Sequence, residues 1–246
     1  MKMNVNRVII DGWQSVAANT VSISKRFLMF SAVLLVVTFP SFAQDIAAIQ
    51  QSMAQNAQKL HQYQWIETTQ LTLNGDQKPP TQDSCQYGPD GQVQKTPIGP
   101  PPQQPSGGRL KERIIEKKKG EMQEYMGQVK SVLAMYVPPD PQKMAEAKQA
   151  GNFSLNPVPG AVNLIFTNYA QSGDRMTLTF DTAAKKVVSL NVNTYMGEAK
   201  DTVTLQVQMA SLPDGTNYAQ QTVLDATAKK LQVTTSNSNY QKLGGY

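Results

Sequence analysis

Residues 175–209 read RMTLTFDTAAKKVVSLNVNTYMGEAKDTVTLQVQM, and the period of two inside them decides the fold class. Met176, Leu178 and Phe180 fall on every second position, as do Val188, Leu190 and Val192. The pattern is cleanest in Val203, Leu205, Val207 and Met209, which alternate with Thr204, Gln206 and Gln208. Successive side chains of a strand point to opposite faces, so each run is a strand that is apolar on one side and wet on the other. The connections between the runs are short, which makes the strands antiparallel neighbours rather than members of crossover units.

Working outward, the same signal continues in both directions. Upstream, Val162, Leu164 and Phe166 alternate with Asn163 and Thr167, and Ser172-Gly173-Asp174 supplies the turn. Downstream, Pro213-Asp214-Gly215 is a turn, followed by strands around 217–224 and 231–240, the second less apolar. Two corners resemble each other, Phe180-Asp-Thr-Ala-Ala-Lys-Lys-Val187 and Leu224-Asp-Ala-Thr-Ala-Lys-Lys-Leu231. Each reads as a strand ending in a turn-starting Asp, with a Lys pair opening the next strand.

Nearer the N-terminus, Tyr63, Trp65, Leu71 and Leu73 form another alternating run that ends at Asn74-Gly75-Asp76. A second hairpin pairs 83–87 with 92–96 through Gly88-Pro89-Asp90-Gly91. Glu67 interrupts the apolar face beside Trp65; a functional buried carboxylate is one reading, and an edge position or a register shift is the simpler one. The total is about nine strands, which at ~4.8 Å spacing make a sheet about 40 Å across.

Helices are marked by spacings of three and four. Ile46, Ile49, Met53, Ala57 and Leu60 predict a first helix over 45–62, with Asp45 in its cap or first turn. Residues 109–136 predict the longest helix, with a stripe of Ile115, Met122, Met126, Val129, Leu133 and Tyr136. Pro138-Pro139 ends it, and a short helix over 141–150 precedes Gly151. Between hairpin and long helix, 97–108 (PIGPPPQQPSGG) holds five prolines and three glycines, a composition that suits an extended surface loop. Residues 109–119 follow with six basic residues against Glu112 and Glu116. A solvated helix face is the default reading of that run. Together, 97–119 are also a candidate docking segment for an envelope protein or anionic headgroups.

The first 43 residues read differently. Lys25-Arg26, a thirteen-residue uncharged run from Phe27 to Phe39, Pro40, and Ser41-Phe42-Ala43 are in the order of a cleavable secretory signal ending near Ala43. A helix of that length spans about 20 Å, short of the ~30 Å hydrocarbon core, which argues against the alternative of an uncleaved anchor. The expected organisation is therefore 1–43 as extension and signal, and 44–246 as a single β-rich domain acting in the periplasm or secreted. Removal of 1–43 leaves nineteen Lys/Arg against seventeen Asp/Glu, so the basic balance of the whole chain is no argument for nucleic-acid binding. Cys85 is the only cysteine, so the chain cannot close an internal disulfide. With His61 as the only histidine, a transition-metal site or a nucleophile–base pair has little to build on. No nucleophile elbow, phosphate-binding loop or dinucleotide fingerprint occurs, and the reading is of a protein that is not an enzyme and needs no cofactor.

A sheet this broad has more apolar face than two ~10 Å helices can cover. It can curl over the helices, dimerise, or hold a hydrophobic ligand, and curling is expected of any broad twisted sheet. The expected architecture is α+β, a curled antiparallel sheet forming an unclosed half-barrel with two or three helices in its concave face. The candidate ligand-binding residues on that face are Trp65, Leu71, Met122, Met126, Leu133, Leu164, Phe166, Met176, Leu178, Phe180, Leu190 and Leu205.

The order of elements, with the stretch 175–209 and the later stretch SLPDGTNYAQQTVLDATAKKLQVTTSNSNYQKL (211–243), resembles the periplasmic lipoprotein-carrier superfamily (LolA/LolB-like). The resemblance implies an N-terminal helix, helices that plug the concavity, and carriage or sensing of lipids, acyl chains or lipoproteins. The buried arginine of that family has no assigned counterpart among Arg109, Arg113 and Arg175. A non-catalytic envelope interaction or sensor domain is the alternative.

Overall fold

The computed structural model describes residues 42–99 and 109–244. The expected signal segment, apart from Phe42 and Ala43, lies outside the described residues, as does 100–108 of the Pro-rich loop. Among the described residues three α-helices accompany eleven strands. Helix α1 is Phe42–Leu60, α2 is Arg109–Leu133 and α3 is Pro141–Gln149. The N-terminal strands are β1 (Tyr63–Leu73), β2 (Asp76–Gln77), β3 (Thr81–Tyr87) and β4 (Val93–Ile98). After the helices come β5 (Phe153–Val158), β6 (Ala161–Thr167), β7 (Arg175–Asp181), β8 (Lys186–Met196), β9 (Glu198–Ser211), β10 (Asn217–Ala226) and β11 (Leu231–Lys242).

All pairings are antiparallel, and the order across the sheet is β4-β3-β1-β11-β10-β9-β8-β7-β6-β5, with the short β2 paired to β1. The outer strands β4 and β5 do not pair with each other, so the sheet stays open as expected. The half-barrel reading therefore holds, with two more strands than the alternation marked. The added ones are the two-residue β2 and the edge strand β5, where Pro157 hides the signal. A proline cannot donate to a ladder, so it is tolerated at an edge and argues against a strand when read from sequence.

The apolar face is best seen by reading across strands. One row runs Leu71, Val233, Leu224, Leu205, Val192, Met176, Phe166, Phe153, apolar over eight strands. The adjacent row begins polar and ends apolar: Thr81, Thr69, Thr235, Thr222, then Val207, Leu190, Leu178, Leu164 and Leu155. Tyr125, Met126, Val129 and Leu133 of α2 and Met144 and Ala147 of α3 pack with the apolar parts of these rows in one large core. A second, smaller core of Leu60, Trp65, Cys85, Tyr87 and Val93 lies at the β1-β3-β4 end. Between the two lie Glu67, Thr222, Thr235 and Asn237, all buried.

The repeated corner is used twice, but not in the same frame. The β7–β8 ladder closes on Asp181 and Lys186, and Lys185 takes the left-handed conformation. The β10–β11 ladder closes one residue later in the shared pattern, on Ala226 and Leu231, with Lys230 left-handed. Both loops have four residues with a left-handed Lys at the last. Asp181 caps its own turn through the Ala183 and Ala184 N–H groups (2.9 and 2.8 Å), whereas Asp225 stays in its strand and accepts from Gln232 (2.9 Å).

Candidate functional site

The site is built around two bulges. The β7–β8 register slips between Thr179 and Phe180, where Ser189 and then Val187 are the partners, so Val188 is the extra residue. An extra residue turns the strand by one side-chain position. Val187, not Val188 as the plain alternation implies, therefore enters the core. Ser189 instead points to the outer face, donating to Thr179 Oγ1 (2.8 Å), which donates to Asn163 (2.8 Å). The second slip lies between Ala219 and Gln221 in the β9–β10 pair.

Helix α1 is fastened between these irregularities. Asn56 Nδ2 donates to the Asn217 carbonyl and Asn56 Oδ1 accepts from the Asn217 N–H, each at 2.5 Å. Asn217 Nδ2 in turn donates to the Val187 carbonyl at 2.8 Å, so Asn217 joins α1 through its backbone and β8 through its side chain. The 212–216 turn closes with Leu212 N donating to the Thr216 carbonyl (2.8 Å), and Gly215 sits at φ +81°, a conformation glycine adopts without strain. That turn presents the Gly215 carbonyl to Lys186 Nζ at 2.7 Å, and Ser211 Oγ lies 3.2 Å from the same ammonium.

Beneath α1 these elements leave a cleft of about 130 Å³. Its apolar wall includes Met53, Phe180, Val187 and Met209, and its polar wall includes Asn56, Lys59 and Lys186. Met53, Phe180 and Met209 also pack on the large core, while Leu60 belongs to the small one, so the cleft borders both cores.

The twelve candidate residues divide into three groups. Leu71, Leu205, Met176, Phe166, Leu164, Leu178 and Leu190 occupy the two rows of the sheet's apolar face, and Met122, Met126 and Leu133 face them from α2. Those ten are packed against one another, all of them buried except Leu71 and Met122, which are half-buried. Phe180 lines the cleft. Trp65 stands apart in the small core, stacked on Tyr240 at 5.5 Å and donating to Asn237 Oδ1 at 3.1 Å. The other cleft residues escaped the sequence reading, because the bulges that create the cleft carry no alternation signal.

Two buried polar constellations also emerged. Glu67 is fully buried on an interior strand, not at an edge, and both its carboxylate oxygens receive Lys95 Nζ, at 2.7 and 2.8 Å. Neighbouring Cys85 is buried in the small core, and burial pushes its thiol up to about 12, with the Glu67 charge adding to the shift. The second constellation centres on Asp174, 2% exposed. It accepts from Tyr136 Oη (2.5 Å) and from the N–H groups of Tyr169 (2.5 Å), Ala170 and Gln171 (2.8 Å each), tying the end of α2 to the β6–β7 turn. Burial raises the Tyr136 hydroxyl pKa, and the Asp174 hydrogen bond raises it further. Both constellations are saturated by protein groups and read as structural pins. Among the described residues no three His, Cys, Asp or Glu side chains gather as a metal site. His61 stacks on Tyr87 at 4.2 Å. On α2, Arg113 and Lys117–Lys119 are exposed, while the side chain of Arg109 lies outside the described residues. No described helix is long and apolar enough to cross a membrane.

No known family's sequence profile matches the chain, and no curated protein matches it. Among solved structures it is similar to a DUF1329 family protein from Desulfovibrio piger, with 9% identity over 83% of this chain and 92% of that one and a TM-score of 0.38. A putative outer membrane lipoprotein-sorting protein domain from Vibrio parahaemolyticus gives 9% identity, 83% and 94% coverage and a TM-score of 0.39. A LolA superfamily protein from Nitrosomonas europaea gives 10%, 80% and 94%, and 0.36. Each of these is a likeness at about one identical residue in ten.

Proposed function

We propose that this protein is an exported, non-catalytic binding or carrier protein for a hydrophobic ligand: a lipid, an acyl chain or an acylated protein, held between the sheet and its helices by the single domain 44–246. The observation that carries the reading is the cleft under α1, whose apolar wall belongs to the same continuous core as the sheet's concave face. An apolar wall reaching from solvent to the main core suits a guest that must leave water. The volume of about 130 Å³ is below the range of drug-sized pockets, about 300–1,000 Å³. A guest larger than one short chain segment therefore requires α1 or α2 to shift from the sheet. Native mass spectrometry of the protein purified from envelope extract is the test. An adduct in the lipid mass range supports the reading; an adduct-free protein that also fails to bind a fluorescent fatty acid saturably rejects it.

An envelope interaction domain is the second reading, favoured by the exposed Lys117–Lys119 run. Its signature is loss of a specific envelope partner in a Lys117→Glu/Lys118→Glu/Lys119→Glu variant that still binds fatty acid normally.

A further inference from the structure

The cleft is asymmetric in charge as well as in polarity. Two lysines, Lys59 on the last turn of α1 and Lys186 at the start of β8, stand on its rim, and no acidic side chain lines it. The carboxylates nearest in sequence are spent elsewhere. Asp181 caps its own turn. Asp214 accepts from the Thr216 N–H (2.9 Å) and the Tyr63 hydroxyl (2.7 Å), and those bonds hold its pKa at about 2. Lys186 reaches a carbonyl and a hydroxyl but no carboxylate, and an ammonium has three donors. One donor thus remains for an anion that approaches from the cleft. Lys59 makes no described ion pair. Asn56, clamped at both ends of its amide, fixes where the helix carries Lys59 relative to Lys186.

Cation above and apolar wall below define an amphiphile by its two halves. Met53, Phe180 and Met209 meet the tail, and methionine adapts to guests of differing shape. An apolar cavity of about 150 Å³ accepts one benzene-sized guest. At about 130 Å³ the cleft has room for one chain segment and not for two chains side by side.

We infer that the α1–β8–β10 cleft is a site for a single-chain amphiphile with an anionic head, its carboxylate or phosphate between Lys59 and Lys186 and its chain on Met53, Phe180 and Met209. This deepens the carrier reading and rests on it.

Binding to the full chain is measured calorimetrically with decanoate, decyl phosphate, 1-decanol and decyltrimethylammonium, below their micelle concentrations, and with inorganic phosphate. The expected result is that at least one anionic ligand binds about tenfold or more tighter than decanol, one charge-assisted contact being of that order. The cationic ligand is expected to bind most weakly. Comparing decanoate with decyl phosphate tells which head the lysines prefer. In Lys59→Gln/Lys186→Gln the anionic preference falls about tenfold, to the decanol level, with decanol binding unchanged. Lys59→Gln alone, at an exposed position, gives part of the same loss without touching the Lys186 bonds. Ala219→Leu, which fills the wall, weakens every amphiphile.

Equal affinity of wild type for decanol and the anionic ligands overturns the inference while leaving the carrier reading intact. So does parallel loss of decanol and decanoate in the lysine variants, since the lysines then read no charge. Inorganic phosphate binding as tightly as decyl phosphate overturns it too, because the tail then contributes nothing, and so does full amphiphile binding by Ala219→Leu. Absence of saturable binding by any amphiphile overturns both readings.

Discussion

At the scale of the residue, Glu67 and Lys95 form a buried ion pair. Their side chains are 0% and 3% exposed, and two charges removed from water are tolerable only because they meet at 2.7 Å. Lys95→Met takes away the ammonium that both Glu67 oxygens contact and is expected to lower unfolding free energy by about 3–5 kcal/mol, read from urea denaturation. Glu67→Met/Lys95→Met removes both charges at once and should recover most of that loss. His61 offers a pH handle. Burial lowers its pKa below 6.5, so the unfolded chain takes up the proton first as pH falls. The contribution of neutral His61 is complete above the unfolded pKa and declines as pH drops below it. The melting temperature should therefore decrease between about pH 7.5 and about pH 5.5, and His61→Phe, which keeps a ring against Tyr87, should show a smaller decrease.

At the scale of the element, edges and bulges are the informative places. Strand β5 is an open edge that carries exposed Leu155 and ends at Pro157-Val158. Proline on an edge strand withholds a donor from a neighbouring chain. Pro157→Val restores the donor, and the expected outcome is concentration-dependent association stronger than that of the parent chain, seen by sedimentation velocity. The interior strands β6 to β11 were legible because each buries one face, so burial and alternation coincide. What stayed illegible has a common cause. Val188 and Gln220 are extra residues whose effect is to break period two, and no composition marks them. The duplicated Asp…Lys-Lys pattern misleads for the same reason, since its two copies turn in frames one residue apart. Ten of the candidate residues came together, because patterning finds cores readily. The cleft was missed because its polar wall comes from Asn56 and Lys59 on α1 and Lys186 on β8, elements far apart in sequence.

At the scale of the whole molecule, the sheet is one hydrogen-bonded object carrying two cores. The large core is backed by α2 and α3, whereas the small one rests on five buried side chains and is divided from the first by Glu67, Thr222, Thr235 and Asn237. Fewer buried apolar contacts mean a lower opening free energy. Hydrogen exchange should therefore show the amides of β3 and β4 exchanging before those of β7 to β10, with β1 in between. Uniform protection across the sheet would contradict the two-core description.

The order of strands has a consequence in time. Strand β1 lies between β3 and β11, so its first residues pair with the last: Gln64 is matched to Gln241 across 177 positions. Strand β1 is made before every strand from β2 to β11. Until β11 arrives, the hairpin of β3 and β4 with β1 has no sheet to join, and β1 and β10 each present an unpaired edge. Among the described residues the completed sheet has two open edges, whereas before β11 arrives there are four, and contacts this distant in sequence are slow to form. The hazard is greatest before β11 is in place.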